Sequence, residues 1–426
     1  MIVPIQIETA RAVKLLIYKI GNASYARNYK ETKRLFDPIW KTPEAPNFSS
    51  FELPDQAQLY KLAGTFLVNF GKSKNLANYQ ERGKDVLTKA IDYFWQLDEI
   101  EEAMECQMML AIGYSQEGSL DEYEALLEDA ESYFKNNKRH SVYLLIQINY
   151  LIIEIARHKI PQALARINRI AVFAEASDDL RVKTLYLTQT GIVHQLAGDL
   201  ESSLKCLNSA VFFAKAIENV QYEAMITNCL ANTYRLLKKY DDALTAIGHA
   251  LRLAREDEGW MANFLDTEAN IHLDRNDLEK ATEIAATAVR YFRSGEDFGG
   301  LTEAMWTQMK IHFRLDLREM AFKIFFEIYT ISMQQSGSKK ADQYLNDFLD
   351  MVYVDNDTFF NERIILYKRF LVQNALYRTN GKIVEAAKIL GIKKHQTLSA
   401  MIRKHFPEVL EDYQVERKTR SDRIEK

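Results

Sequence analysis

The sequence predicts an all-α protein: a solenoid of antiparallel helix pairs ending in a small helix-turn-helix domain. Three observations lead there. Glycine and proline are scarce, 16 and 7 in 426 residues, which favours helices joined by short loops over the turn-rich chain of a β-sandwich. Small residues return at a fixed spacing through the middle of the chain, the mark of a repeat architecture. The end of the chain then changes character. Phe359–Lys426 holds 15 Lys and Arg against 8 Asp and Glu, a net +7, and since the whole chain carries −4, the preceding 358 residues carry −11. A basic module on an acidic body is the asymmetry expected of a nucleic-acid-binding part joined to a protein-binding part.

Residues 1–54 read as an N-terminal helical cap. Ile5–Trp40 holds two amphipathic helices, and Lys41–Pro54, with three prolines, is a loop. The opening residues lack a basic start, and charges interrupt their apolar residues, so no secretory signal is expected. No uncharged apolar run reaches 18 residues, so no membrane span is expected. Cys106, Cys206 and Cys229 are scattered without CxxC spacing and read as reduced core residues of a cytoplasmic protein.

Residues 55–338 form the repeats. One slot holds Ala111, Leu151, Gly191, Ala231, Ala269 and Met309, spaced by 40, 40, 40, 38 and 40 residues. Twelve residues after each member, a second slot holds Tyr123, Ala163, Ser203, Ala243, Ala281 and Ala321. Seven further on, a third holds Ala130, Ile170, Ala210, Ala250, Ala288 and Ile328. Crossing helices need small side chains where their backbones approach. The turns at Gly118, Gly198 and Asn276 supply residues that tolerate positive φ where a helix must end. Gly64 and Ala90 fill the first and third slots of an earlier pair if residues are inserted near Lys74–Gln80.

After the break at Ser336-Gly337-Ser338, residues 339–358 hold a capping helix and linker. Its stripe is Tyr344, Leu345, Phe348, Leu349 and Val352. In residues 359–426, Asp357 N-caps a helix from Thr358 to Arg378. Ala386, Ala387, Leu390, Gly391, Ile392, Leu398 and Ile402 then form a helix-turn-helix pattern: alanines where the short helix is crossed, Gly391 to end it, and Leu398 and Ile402 buried four apart.

The three slots resemble the tetratricopeptide repeat, which adds a tyrosine three residues after the first slot; here that position reads Tyr114, Glu154, His194, Tyr234, His272 and His312. The family's usual period is about 34 residues, and the longer period is similar to the variant in bacterial transcription activators of the MalT kind; the resemblance implies a right-handed helical solenoid. The C-terminal pattern resembles the Fis-type helix-turn-helix of Fis and NtrC-like activators through Arg378-Thr379-Asn380-Gly381-Lys382 and Ala386–Ile392. Between Ile392 and Thr397-Leu398 stand Lys393, Lys394, His395 and Gln396, one residue more than the family pattern.

These resemblances imply two sites. Lys393, Lys394, Gln396, Thr397, Ala400, Arg403 and Lys404 form the exposed face of a recognition helix for double-stranded DNA, with Gln and Arg suited to base edges and Lys and Thr to phosphates. Asn228, Asn232, Arg235, Asn263, Asp266, Asn270, Lys310 and Arg314, with Asp274 and Trp306, line the groove made by the first helix of each pair. Asn232 and Asn270 fall where peptide-binding relatives use Asn, whose amide matches a peptide's donor and acceptor. The apolar stretch Tyr353–Leu371 implies a homodimer. The expected function is a DNA-binding transcriptional regulator whose repeats bind a peptide or protein partner; the alternative is an adaptor that contacts only proteins.

Other signals are set aside. Gly71-Lys72-Ser73 echoes a P-loop, but the glycine required five residues before Gly71 is Phe66 and no strand precedes it. His194, His272 and His312 recur at the repeat spacing, yet neighbouring repeats stand too far apart to share one ion. No nucleophile–base pair or metal-ligand cluster is visible, so no enzyme, cofactor or metal is expected.

Overall fold

The computed structural model describes residues 10–409 apart from 42–43, 75, 77, 118, 256, 296, 336–337, 355–359 and 408. The described residues are helical, with no strand among them. Two helices, α1 (Ala10–Tyr25) and α2 (Tyr29–Phe36), come first. Antiparallel pairs follow: α3 (Leu53–Lys74) with α4 (Tyr79–Gln96), α5 (Ile100–Glu117) with α6 (Leu120–Phe134), and α7 (Ser141–Ala156) with α8 (Ile160–Ala176). Next come α9 (Leu180–Leu196) with α10 (Leu200–Ala216), α11 (Val220–Leu236) with α12 (Tyr240–Leu253), and α13 (Glu258–Asp274) with α14 (Leu278–Arg293); α15 (Phe298–Arg314) and α16 (Arg318–Gln335) follow in the chain. The chain ends in α17 (Ser338–Val354), α18 (Phe360–Arg378), α19 (Ile383–Ile389) and α20 (His395–His405). Two compact units divide it, 1–324 and 325–426.

In the first unit the small-residue slots set the packing. Every residue of the three slots is buried, the larger Tyr123, Leu151 and Met309 included; Ile328, the last of the third slot, lies in the second unit. The earlier pair adds a glycine at each crossing. A Cβ on Gly64 would lie 2.7 Å from the Leu87 side chain, and one on Gly83 2.6 Å from that of Val68. The loop before α3 is ordered by aromatic burial: Phe48 is enclosed, its N–H donates to the Tyr60 hydroxyl at 3.2 Å, and the two rings sit 4.9 Å apart.

The turns repeat with the helices. Gly198 and Asn276 have the expected positive φ, but Asp98, His158, Lys238 and Asp316 take the same conformation at equivalent turns without being glycine or asparagine. Gly118 lies outside the described residues, as does the expected cap Asp357.

In the second unit, the Phe325 ring stacks on Phe348 at 4.0 Å, and Phe370 lies 5.0 Å from Tyr329. Val372, Ala375, Leu376, Ala386, Ala387, Leu398, Ile402 and Phe406 share a core joining α18, α19 and α20. Thr379 is buried and donates to the Ala375 carbonyl at 2.8 Å. Asn380 and Gly381 follow with positive φ, so α18 ends in a tight reversal. Gly391 (φ 67°) ends α19, with the Ile392 N–H on the Ala387 carbonyl at 2.8 Å.

Candidate functional site

The first helices α9, α11 and α13 bound a cavity of about 270 Å³ lined by Ile192, Gln195, Asn228, Cys229, Asn232, Asp266, Thr267 and Asn270. The repeat register puts them there: Ile192, Asn232 and Asn270 each follow a first-slot residue, and Asn228 and Asp266 each precede one by three. One helical turn thus presents two side chains per repeat to a common surface.

Four of the expected groove residues, Asn228, Asn232, Asp266 and Asn270, line this cavity. Two more brace it. Arg235 donates from Nε to Asn232 Oδ1 at 3.0 Å and pairs with Asp274 on the next repeat. Lys310 donates to Asn270 Oδ1 at 2.8 Å. The remaining two stand apart: Asn263 donates back to the Gly259 carbonyl at 2.9 Å, and Arg314 is exposed at the end of α15.

The two expected peptide-holding asparagines differ. Asn270 is committed, its Nδ2 donating to the Asp266 carbonyl and the Thr307 hydroxyl, each at 2.9 Å, while its oxygen holds Lys310. Asn232 lends its oxygen to Arg235. The unfilled capacity lies beside them: the buried oxygens Asn228 Oδ1 and Asp266 Oδ1 accept no hydrogen bond from the protein. Burial pushes the Asp266 carboxyl up to about 6, only partly offset by the neighbouring Thr307 hydroxyl and Lys310 ammonium. Burial lowers Lys310 in turn, against the pull of Asp266. Such acceptors call for a donor, and a peptide N–H or a cationic side chain supplies one. Sequence reasoning missed Gln195, Cys229, Thr267 and Ile192; the last was readable from the register, since it occupies the position of Asn232 one repeat earlier.

On α20 and the turn before it, the expected recognition residues lie opposite the buried ones. Leu398 and Ile402 are fully buried, while Lys393, Lys394, Gln396, Thr397, Ala400, Arg403 and Lys404 are exposed. The three rejected histidines have local partners: His194 and His272 face Asp199 and Asp277 at 3.6 and 3.2 Å, and His312 bonds the Gln308 carbonyl at 2.8 Å. No metal-binding cluster occurs among the described residues, and no helix there is long and apolar enough to cross a membrane.

Residues 152–321 match the family described as the MalT-like TPR region. The match covers α8 to α15 and the neighbouring ends of α7 and α16, the middle and later part of the array. Among solved structures, these repeats are similar to a Signal Transduction ATPase with Numerous Domains from Pyrococcus horikoshii that carries a tetratricopeptide repeat sensor, at 13% identity and a TM-score of 0.46, over 76% of this chain and 52% of that one. This chain therefore spans about half the length of that protein. A Rap protein complexed with Competence and Sporulation Factor aligns at 12% identity and a TM-score of 0.49, over 79% of this chain and 100% of that one. NprR in complex with its cognate peptide NprX aligns at 14% identity and 0.40, over 71% and 98%. No curated protein matches the sequence.

Proposed function

We propose that the chain is a cytoplasmic, DNA-binding transcriptional regulator of bacterial type, in which the tetratricopeptide groove receives a peptide or a segment of a protein partner. The observation that carries the DNA half is α20 and the turn before it: Gln396, Thr397, Ala400, Arg403 and Lys404 are exposed on the helix and Lys393 and Lys394 just before it, while Leu398 and Ile402 are buried. The helix follows a shorter one, α19, and a turn at Gly391, an order that supports reading the segment as a Fis-type helix-turn-helix. Arg403 and Gln396 reach for base edges there, and Lys393, Lys394 and Lys404 for phosphates.

The groove reading rests on the unfilled acceptors Asn228 Oδ1 and Asp266 Oδ1 beside Asn232. A homodimer belongs to the same proposal, since such domains present paired recognition helices to DNA. Ile365 and Leu371 are exposed on α18; the side chains of Tyr353, Phe359, Phe360, Ile364 and Leu366 lie outside the described ones.

The test is a gel shift with genomic fragments at two salt concentrations. Binding that weakens with salt and disappears when residues 359–426 are removed supports the regulator. Full-length protein that shifts no fragment at low salt leaves the adaptor reading in its place.

A further inference from the structure

The Gly71-Lys72-Ser73 segment, rejected as a phosphate loop, sits at the C-terminal end of α3 and meets the far repeats of the same compact unit. Lys72 pairs with Asp297, Ser73 bonds Asp257, and Lys74 lies 3.5 Å from the same Asp257. The turn before α2 joins the contact. Tyr29 donates to Gln221 Oε1 at 2.9 Å, Arg27 to the same oxygen at 3.3 Å, and Asn219 Nδ2 to the Tyr25 carbonyl at 3.0 Å. Gln221 in turn donates to Asp257 Oδ2 at 3.1 Å. Asn219, Asp257 and Asp297 each precede the first helix of a repeat, at spacings of 38 and 40 residues. The first part of the chain thus runs along the starting edge of three later repeats, and the array is joined edge to edge.

The seam has the character of a fastening. The ion-pairing side chains Lys72, Lys74, Asp257 and Asp297 are at most 29% exposed, so solvent screens their attraction less than that of surface pairs. The carbonyl end of α3 abuts the amide end of α13, opposite poles of two helix dipoles. The approach is close enough to require glycine: a Cβ on Gly259 would stand 2.0 Å from the Lys72 carbonyl oxygen.

The seam and the groove share helices. On α11, Gln221 lies in the seam and Asn228 in the cavity; on α13, Asp257 precedes the helix and Asp266 lines the cavity. At 1.5 Å per residue these separations are roughly 10 and 13 Å along rigid rods. A guest that spreads α11 from α13 at the cavity therefore strains the Gln221–Asp257 bond and the contacts around it.

We infer that this seam is an electrostatic latch that holds the repeat array closed over its own groove, and that access to the groove is governed by whether it is fastened. What the latch regulates rests on the groove reading above; its existence does not.

The test uses the full chain and two readouts that need no ligand: radius of gyration by X-ray scattering, and the rate at which N-ethylmaleimide modifies Cys229, which lines the cavity and is distinguished from Cys106 and Cys206 by peptide mass. Lys72→Asp with Lys74→Asp places four acids together; Gly259→Ala wedges the seam open with one methyl. Both variants are expected to keep the helical circular-dichroism signal, to expand, and to react several-fold faster at Cys229, while Lys72→Arg with Lys74→Arg stays like wild type. If the acidic variant loses its helical signal, Gly259→Ala decides alone. Unchanged size and unchanged Cys229 rate in a folded variant overturn the latch. Expansion without faster labelling overturns its control of the groove. If both move as expected but Asn232→Ala leaves partner binding intact, the latch stands and the groove reading falls.

Discussion

Single residues explain where sequence reasoning succeeded and where it stopped. The positive-φ turns at Gly198 and Asn276 were legible because glycine and asparagine announce that conformation. Lys238 adopts it with φ of 60° and carries no such mark; the periodic packing on either side imposes it. Lys238→Gly should therefore raise stability by about 0.5–1 kcal/mol, because relief of left-handed strain outweighs the added freedom of the unfolded chain. Thermal melts decide this, and a destabilised variant would mean that the lysine's contacts outweigh its backbone cost. Asp266 gives the second prediction. Its position in the groove was readable from the register, but its isolation was not, since that depends on which neighbours turn away. Its carboxyl is raised from 3.8 to about 6, so the folded state holds the proton more tightly than the unfolded one. Stability attributable to this group is present at low pH and is lost as pH rises from about 4 to about 6. Asp266→Asn should flatten that decline and be more stable than wild type at pH 7 by roughly 1–3 kcal/mol. Denaturant titrations across that window measure it; parallel curves for the two proteins would show that Asp266 is not isolated.

At the scale of the element, the sequence was most informative where geometry left one choice. Closely crossing helices admit only small side chains at the crossing, so the slots could be found by spacing alone, and even the oversized Leu151 and Met309 are buried at the expected register. Within α12 the contrast can be measured on one helix. Ala250 is fully buried in the third slot, and Ala250→Leu should cost about 1–3 kcal/mol by overpacking. Two residues earlier, a Cβ on Gly248 would meet only the tip of Arg252 at 3.7 Å, so Gly248→Ala should stabilise by about 0.5–1 kcal/mol. Equal effects at the two positions, read by thermal or chemical melts, would mean that the slots do not set the packing. The seam between α3 and α13 was not legible. It joins residues far apart in the chain whose types, two lysines and two aspartates among many, carry no local pattern. Only the curvature accumulated over five repeats brings them together.

At the scale of the whole molecule, an acidic repeat body precedes a basic C-terminal part, and the proposed function assigns a partner to the first and DNA to the second. The repeat half is carried by slots, burial and family match together; the DNA half rests on the exposed face of α20 and the charge of the tail. Electrostatics makes that half measurable, because each cation that neutralises a phosphate releases counterions and steepens the fall of affinity with salt. Lys394 and Arg403 are both exposed on that face. Full-length wild type and the Lys394→Ala, Arg403→Ala variant, titrated against a bound genomic fragment by fluorescence anisotropy over a series of salt concentrations, give the most direct test. The expected result is weaker binding by the variant and a logarithmic salt slope shallower by up to about 2. Identical affinity and slope for the two proteins would contradict it.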